Sequence, residues 1–263
     1  MEIITETGKP VLSSPLLASC SFLMHGFSTR SWGNMGLHVG DDPGTVVKNR
    51  RVFLEGLSST LEDSVWVRQV HGTRILPVSD AHRGNGAFRY DEAMEACDGM
   101  ITNVPGVMLM AVFADCTPIF LADPVTRSVG LLHAGWKGTL RDIAGSGVLA
   151  MKEAFGSRPE DILAAIGPRI GAECYEVGEE VLTELEERGL SKVGRLGSNH
   201  LDMGSVNRAL LQRQGVVKIE ISPLCTYCKN ELLFSHRREL GQAGRMAGAI
   251  GILKDPAERR KQE

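Results

Sequence analysis

Apolar positions along this chain fall into short blocks, and their spacing changes character around residue 137. The runs "GMIT" (99–102), "VMLMAVF" (107–113), "PIFLAD" (118–123) and "SVGLLHA" (128–134) follow one another closely. Each has the length of a strand and is bounded by turn residues, the pattern of strands buried on both faces. From Lys137 to Phe155 the apolar residues Leu140, Ile143, Val148, Met151 and Phe155 recur at helical spacing, which predicts one helix over that span. Alternation then continues. "DILAAIG" predicts a strand and "VGEEVLTELEERG" a helix stopped by Gly189. "DMGSVNRALLQRQG" predicts a helix capped by Asp202 or Ser205, and "VVKIEIS" and "RMAGAIGIL" predict two more strands.

The first hundred residues are less regular. "NMGLHVGDDPG" (34–44) reads as a loop, and Pro43 predicts the start of a short amphipathic helix through Leu57. "SVWVRQV" and "TRILPVSD" flank His71-Gly72, which predicts a strand, a tight turn and a second strand as a hairpin. Residues 81–96 are polar and irregular and predict a mobile loop, and a charged, frayed tail is expected over 254–263. Several long β runs with three or more helices predict an α/β or α+β fold, a sheet core with helices outside.

Composition narrows the function classes. A chain of 263 residues suffices for one large domain or two small ones, and no linker or repeat divides it. Its charge is 29 − 32 = −3, with no basic run before the last residues, so a nucleic-acid partner held by bulk electrostatics is not expected. The acidic start "MEIITETGKP" lacks a basic segment followed by an apolar one, and no apolar stretch approaches the ~20 residues of a membrane span. Neither a signal peptide nor a membrane partner is expected. Cysteines 20, 97, 116, 174, 225 and 228 are scattered through the chain, which suits reduced thiols in the cytoplasm.

Chemistry concentrates at strand ends. Cys116 follows one apolar run, and His133 ends another just before the small residues Ala134 and Gly135. His71 sits in the predicted turn beside Gly72. Packing, a cysteine nucleophile with its base, and a metal site all fit these residue types at this stage. A set of two histidines and one cysteine leaves a coordination position open, as catalytic zinc does. The sole C-x-x-C, "CTYC" (225–228), has no second pair to complete a four-cysteine site, and is read as packing thiols rather than a zinc or redox pair.

At these residues the chain resembles a known family. The blocks are "NMGLHVGDDP" with "NR" at 49–50, "RQVHG" (68–72), "DGMIT" (98–102), "ADCTPIFLADP" (114–124) and "HAGWKGTL" (133–140). They continue with "AIGPRIGAECYEVGEEV" (165–181), "LDMGSVNRALL" (201–211), "CTYC", and "FSHRRE…GRMAGAI" (234–250). In this order, from about residue 25 to 253, they resemble the multicopper polyphenol oxidase or laccase-domain proteins, also named peptidoglycan editing factors, whose mammalian relatives act on purine nucleosides. The resemblance implies one domain over 1–263, a four-layer α-β-β-α sandwich with mixed sheets. It also implies one metal, zinc with copper as a possible occupant, held by His71, Cys116 and His133. Arg169 and His236 depart from residues common in the family.

The activity so implied is zinc-dependent purine nucleoside phosphorolysis of adenosine, inosine, guanosine and methylthioadenosine, with adenosine deamination at the same site. His71, Cys116 and His133 would be catalytic. Asn34, Arg50, Arg68, Gln69, Lys137, Arg237 and Arg238 lie in the matched blocks as candidates for nucleoside or phosphate contacts, Lys137 first among the cations. Asp115 either orients a ligand or caps backbone. Two rival functions use the same residues. One is a cysteine hydrolase editing a peptidoglycan precursor, with Cys116 as nucleophile. The other is a copper-dependent polyphenol oxidase, although the repeated His-x-His pairs of a laccase do not occur here. A ligand-binding protein without chemistry is a fourth reading. The oligomeric state is left open.

Overall fold

Hydrophobic runs buried on both faces need a layer above and a layer below, and the chain supplies them with two stacked sheets. The structure is a computed structural model, and it describes residues 1–4 and 8–254. Its strands are β1 (Glu2–Ile4), β2 (Val11–Ser13), β3 (Leu23–Ser28), β4 (Ser64–Trp66), β5 (Ile75–Pro77), β6 (Gly99–Thr102) and β7 (Met108–Phe113). They continue as β8 (Thr117–Asp123), β9 (Ser128–Ala134), β10 (Leu163–Ile166), β11 (Arg195–Leu196), β12 (His200–Leu201), β13 (Lys218–Ile221) and β14 (Met246–Ile252). The helices are α1 (Pro15–Ala18), α2 (Pro43–Gly56), α3 (Trp136–Leu140), α4 (Ile143–Phe155), α5 (Glu179–Glu187), α6 (Ser191–Gly194) and α7 (Met203–Arg213).

One sheet has the order β1-β2-β3-β14-β7-β4 and the other β13-β10-β8-β9-β6-β5. Both are mixed. Pairing is antiparallel through the middle, and β4 with β7, β5 with β6 and β10 with β13 are parallel. Period-two alternation explains the layers. On β7, Leu109, Ala111 and Phe113 face the second sheet while Met108 and Met110 face outward. On β8, Phe120 and Ala122 face the first sheet while Ile119 and Leu121 meet the helices.

The inner core joins Phe27, Phe113, Phe120, Leu131, Met246 and Ile250. Burying each such side chain contributes roughly 1.5–3 kcal/mol. Outside the first sheet, α2 presents Val46, Arg50, Phe53 and Leu54, one face at helical spacing, beside Trp32 and Met35. Outside the second sheet, α4, α5 and α7 bury Val148, Met151, Leu185, Val206 and Leu210. The four-layer α-β-β-α sandwich is therefore the fold.

Two expectations are corrected. The hairpin around His71-Gly72 does not form: β4 pairs with β7 in one sheet and β5 with β6 in the other, so residues 67–74 cross between the sheets. Turn chemistry reports a local reversal and says nothing about which sheet receives each arm. The single helix over 137–155 is two. It breaks at Asp142, which adopts φ 62°, and its carboxylate accepts from the Gly145 amide at 2.7 Å to cap α4. Asp202, rather than Ser205, caps α7. Gly189, at φ 64°, closes α5 as expected. Residues 81–96 are irregular, with a 3₁₀ turn at Tyr90–Glu92. Of the expected charged tail, residues 255–263 lie outside the described residues. Among the described residues no helix is long and apolar enough to cross a membrane.

The inner core makes one test available. A Cβ on Gly248 of β14 would stand 3.0 Å from the Phe113 ring and 3.1 Å from the Phe120 ring. Gly248→Val is expected to lower unfolding stability by about 1–3 kcal/mol through overpacking, read from the midpoint of a urea transition at unchanged slope.

Candidate functional site

The chain passes between the sheets three times at the same end of the sandwich. Residues 67–74 make one crossing, residues 114–116, between β7 and β8, a second, and residues 222–245, between β13 and β14, a third. Crossings leave space where the layers would otherwise close, and the first two each carry a candidate ligand. Asp115 takes φ 84° to turn the chain, and Cys116 emerges immediately before β8. His71 takes φ 61°, a left-handed conformation uncommon outside glycine, in the other crossing. His133 comes from β9, on the face directed between the sheets, with its ring 5.5 Å from that of Phe113.

One carboxylate organises all of this. Asp98, fully buried just before β6, accepts from the amides of His71 at 2.9 Å and Gly72 at 2.7 Å, and from that of Val70 at 3.2 Å. Its Oδ1 also lies 2.8 Å from His133 Nδ1, and its carbonyl accepts from the His133 amide at 2.7 Å. Burial works against the ionised carboxyl, but the hydrogen bond and charge of His133 and the loop amides outweigh it and hold Asp98 below the ordinary range. Fixing Nδ1 on a carboxylate leaves Nε2 of His133 as the free donor toward Cys116. The expected site residues did not include Asp98, although it opens the "DGMIT" block.

The donor atoms of His71, Cys116 and His133 all lie within 4.8 Å of one another. Cys116 Sγ is 3.8 Å from His71 Nε2, near the separation of about 3.5 Å that tetrahedral zinc imposes on a nitrogen and a sulfur ligand. The His71 and His133 rings meet edge to face at 4.9 Å. Gly135 makes room: a Cβ there would stand 2.6 Å from His71 Cδ2 and 3.4 Å from Cys116 Sγ. Burial opposes the Cys116 thiolate, yet the charge and hydrogen bond of His133, then of His71, bring its thiol below the ordinary value. Burial likewise opposes the His133 imidazolium, and the Cys116 thiolate and Asp98 raise it. A soft thiolate beside two imidazoles, on a scaffold that fixes their orientation, fits zinc or copper.

These groups open onto a cavity of about 300 Å³. Its walls bring in residues that the sequence did not single out: Arg245, His38, Tyr90 and Trp66 line it. Of the expected contacts, Arg50 and Gln69 line it. Arg50 donates to the carbonyls of Met35, Gly86 and Ala87, and its guanidinium lies 3.6 Å from the Trp66 ring centroid. Gln69 is held by Val112, giving and receiving one backbone hydrogen bond each at 2.8 and 2.9 Å.

The other candidates lie elsewhere. Asn34 accepts from the Arg245 amide at 2.8 Å and so stands behind the wall. Lys137 and Arg68 are exposed and are not part of the lining. Arg237 and Arg238 turn outward, each with its guanidinium 5.2 Å from a tyrosine ring, Tyr175 and Tyr227 respectively. Asp115 caps backbone, accepting from the Arg237 amide at 2.7 Å and from the Thr226 hydroxyl at 2.5 Å. Of the two unusual residues, His236 lines the cavity. Arg169 is packed where a Cβ on Gly204 would otherwise sit, and donates to the Ser222 carbonyl at 3.0 Å.

Residues 21–253 match the model of a family described as multi-copper polyphenol oxidoreductase laccase. The chain belongs to that laccase family. A member from Bacillus subtilis, named purine nucleoside phosphorylase YlmD, is 39% identical over 245 residues, covering 86% of this chain and 87% of its own. One of the same name from Geobacillus stearothermophilus is 43% identical over 226 residues, covering 83% and 82%. A solved structure from Bacillus licheniformis, described as hypothetical protein YfiH, superposes with a TM-score of 0.88 at 38% identity, covering 96% of this chain and 99% of its own. The laccase family implies metal binding, and the His71–Cys116–His133 group could hold a metal ion.

If Asp98 sets both histidines, its removal should loosen the metal without touching a ligand. Asp98→Asn is expected to weaken zinc affinity about 10–100-fold in competition with a chromophoric chelator. Affinity within twofold of the wild type would show that Asp98 supports the fold alone.

Proposed function

We propose that this laccase-family member is a purine nucleoside phosphorylase using a metal, zinc, held by His71, Cys116 and His133. The observation that carries the reading is the rest of the cavity lining around those donors. Besides the donors, the cavity is lined by Arg50, Arg245, His38 and His236, and among the described residues no carboxylate contributes to it. Such a lining suits a phosphate dianion, which wants fixed positive charge and hydrogen-bond donors. The names of the relatives support the same substrate class.

In phosphorolysis a phosphate oxygen bonds to C1′ of the ribose as the C1′–N9 bond breaks. The electron pair leaves with the purine, which takes up a proton. Arg245, half-buried and able to reach the cavity, is the cation we assign to phosphate, with Arg50 fixing positive charge at the floor. Burial lowers Arg50 to about 9, still protonated at neutral pH. Burial, followed by the charges of Arg245 and Arg50, lowers His38, so it enters as a neutral imidazole able to share a hydrogen bond with the nucleoside. Tyr90, 5.3 Å from His38, offers a ring for the purine to stack on. Zinc bound by the three donors would supply Lewis acidity to a ligand in the cavity. We assign adenosine deamination to the same cavity, with water replacing the C6 amino group and ammonia leaving. Six free cysteines favour the cytoplasm as the compartment.

A second reading has one observation in its favour. Cys116, His133 and Asp98 stand in the order of nucleophile, base and orienting acid, as a precursor-editing hydrolase would need. Metal content separates the two, because a thiolate bound to zinc is a blunted nucleophile. Pure protein is expected to hold zinc, of which Cys116→Ala loses about the one equivalent that this group binds, by elemental analysis.

Inosine is expected to give free base and ribose-1-phosphate only when phosphate is present, and adenosine without phosphate to give inosine, by chromatography. Loss of a charge-assisted hydrogen bond in Arg245→Gln should raise the phosphate KM by about tenfold or more, while Lys137→Gln stays near wild type. Base release indifferent to phosphate would refute the phosphorylase assignment.

A further inference from the structure

Outside the cavity, the fold gathers three of the remaining five cysteines. The sulfurs of Cys174, Cys225 and Cys228 lie within 4.8 Å of one another, with Cys174 Sγ and Cys228 Sγ 3.4 Å apart. Cys174 ends a 3₁₀ turn (Ala172–Cys174), while Cys225 and Cys228 belong to "CTYC", some fifty residues later. From sequence the pair reads as packing, since no second C-x-x-C exists. The structure supplies the third thiol from another segment, which no spacing rule connects to the pair.

We propose that Cys174, Cys225 and Cys228 form a second metal site, taking a thiophilic divalent cation of the zinc class. Three observations separate this from packing. Packing thiols belong in the core, yet Cys174 and Cys225 are half-buried and Cys228 is exposed. The loop is shaped around the Cys225 sulfur, which accepts from the Gly171 amide at 3.1 Å and from the amides of Tyr227 and Cys228. Amides aimed at a sulfur stabilise thiolate, the form that binds metal. Finally, three soft donors at mutual ligand spacing are the set that selects zinc over hard cations. Exposure at Cys228 leaves the fourth position to solvent.

The site would act as a clasp on the first one. Thr226, between the two cysteines of the motif, donates to Asp115, the neighbour of Cys116. The Thr226 amide in turn donates to the Arg169 carbonyl at 2.9 Å. A cation on the three thiolates therefore ties the loop at 169–174 to the one at 225–229, and through Asp115 to the turn that presents Cys116.

The test is zinc stoichiometry of the full chain, purified under reductant, stripped with chelator and reloaded. Two equivalents per chain are expected, falling to one in Cys225→Ser/Cys228→Ser and to one in Cys116→Ala. Cobalt provides an independent readout in the Cys116→Ala background, where the first site has no sulfur. A strong near-ultraviolet thiolate-to-cobalt band is expected there, and it should vanish when Cys225→Ser and Cys228→Ser are added. A single equivalent in the reduced wild type, unchanged in the double variant, would overturn the proposal.

Discussion

Everything at the candidate site hangs on the buried carboxylate of Asp98. A buried charge is tolerated only when its lone pairs are satisfied, and here the loop amides of Val70, His71 and Gly72 and the ring of His133 do so. The requirement runs both ways. Asp98 needs those donors in order to stay ionised in the interior. The crossing at 67–74 needs Asp98 because its backbone pairing stops at Val67 and Arg68, and His71 sits at positive φ. A neutral acceptor could take up some of these hydrogen bonds, but only a carboxylate also strengthens the His133 imidazole as a ligand. Loop conformation and ligand orientation are therefore one constraint.

That constraint has its place because of how the two sheets are connected. In a sandwich with hairpins alone, each strand would return within its own sheet and the end would close over. Here β4 and β5 belong to different sheets, as do β7 and β8 and β13 and β14, so three connections span the gap at one end. The inner core beside it is filled by Phe113 and Phe120, which keeps the layers apart and rigid below the cavity. His133 rides on β9, a strand buried along its whole length, and so contributes the least mobile of the three donors. Placing ligands on strand ends and on loops pinned to a buried acid holds them in position before any metal binds.

Strands buried on both faces were legible from their apolar runs: "GMIT", "SVGLLHA" and "DILAAIG" all become strands, because continuous hydrophobicity over that length has few other solutions. Helix limits were legible wherever a residue acts locally, as Pro43 and Gly189 do. What local pattern does not contain is pairing. The turn at His71-Gly72 looks like a hairpin whichever sheet each arm joins, and β1 to β3 are too short or too mixed for their pattern to announce them. Asp142 was hidden because helical spacing runs through it, and the break shows only in its φ angle and its cap. The same limit applies to the site. His71, Cys116 and His133 stand out by residue type at strand ends, whereas Asp98, Arg245 and His38 look like ordinary surface residues until the fold turns them inward. Cys174 is the sharpest case, since its neighbours in space are about fifty positions away in the chain.

The partners of Arg50 show how the cavity keeps its positive charge. A buried arginine is most simply stabilised by a carboxylate, which would also cancel its field. This one instead donates to the carbonyls of Met35, Gly86 and Ala87 and lies over the face of Trp66. Carbonyl dipoles and an aromatic face stabilise the cation without adding an opposite unit charge, so the field of the guanidinium still reaches a ligand. The cost is visible in the lowered basicity of the group, which burial brings down to about 9. Arg245 follows the same rule, donating to the carbonyls of Ala243 and Gly244. At Arg245 the negative charges are the Cys116 thiolate and the more distant Asp115 and Glu239. With no carboxylate among the described lining residues, the two arginines still leave positive charge for an anionic ligand to meet.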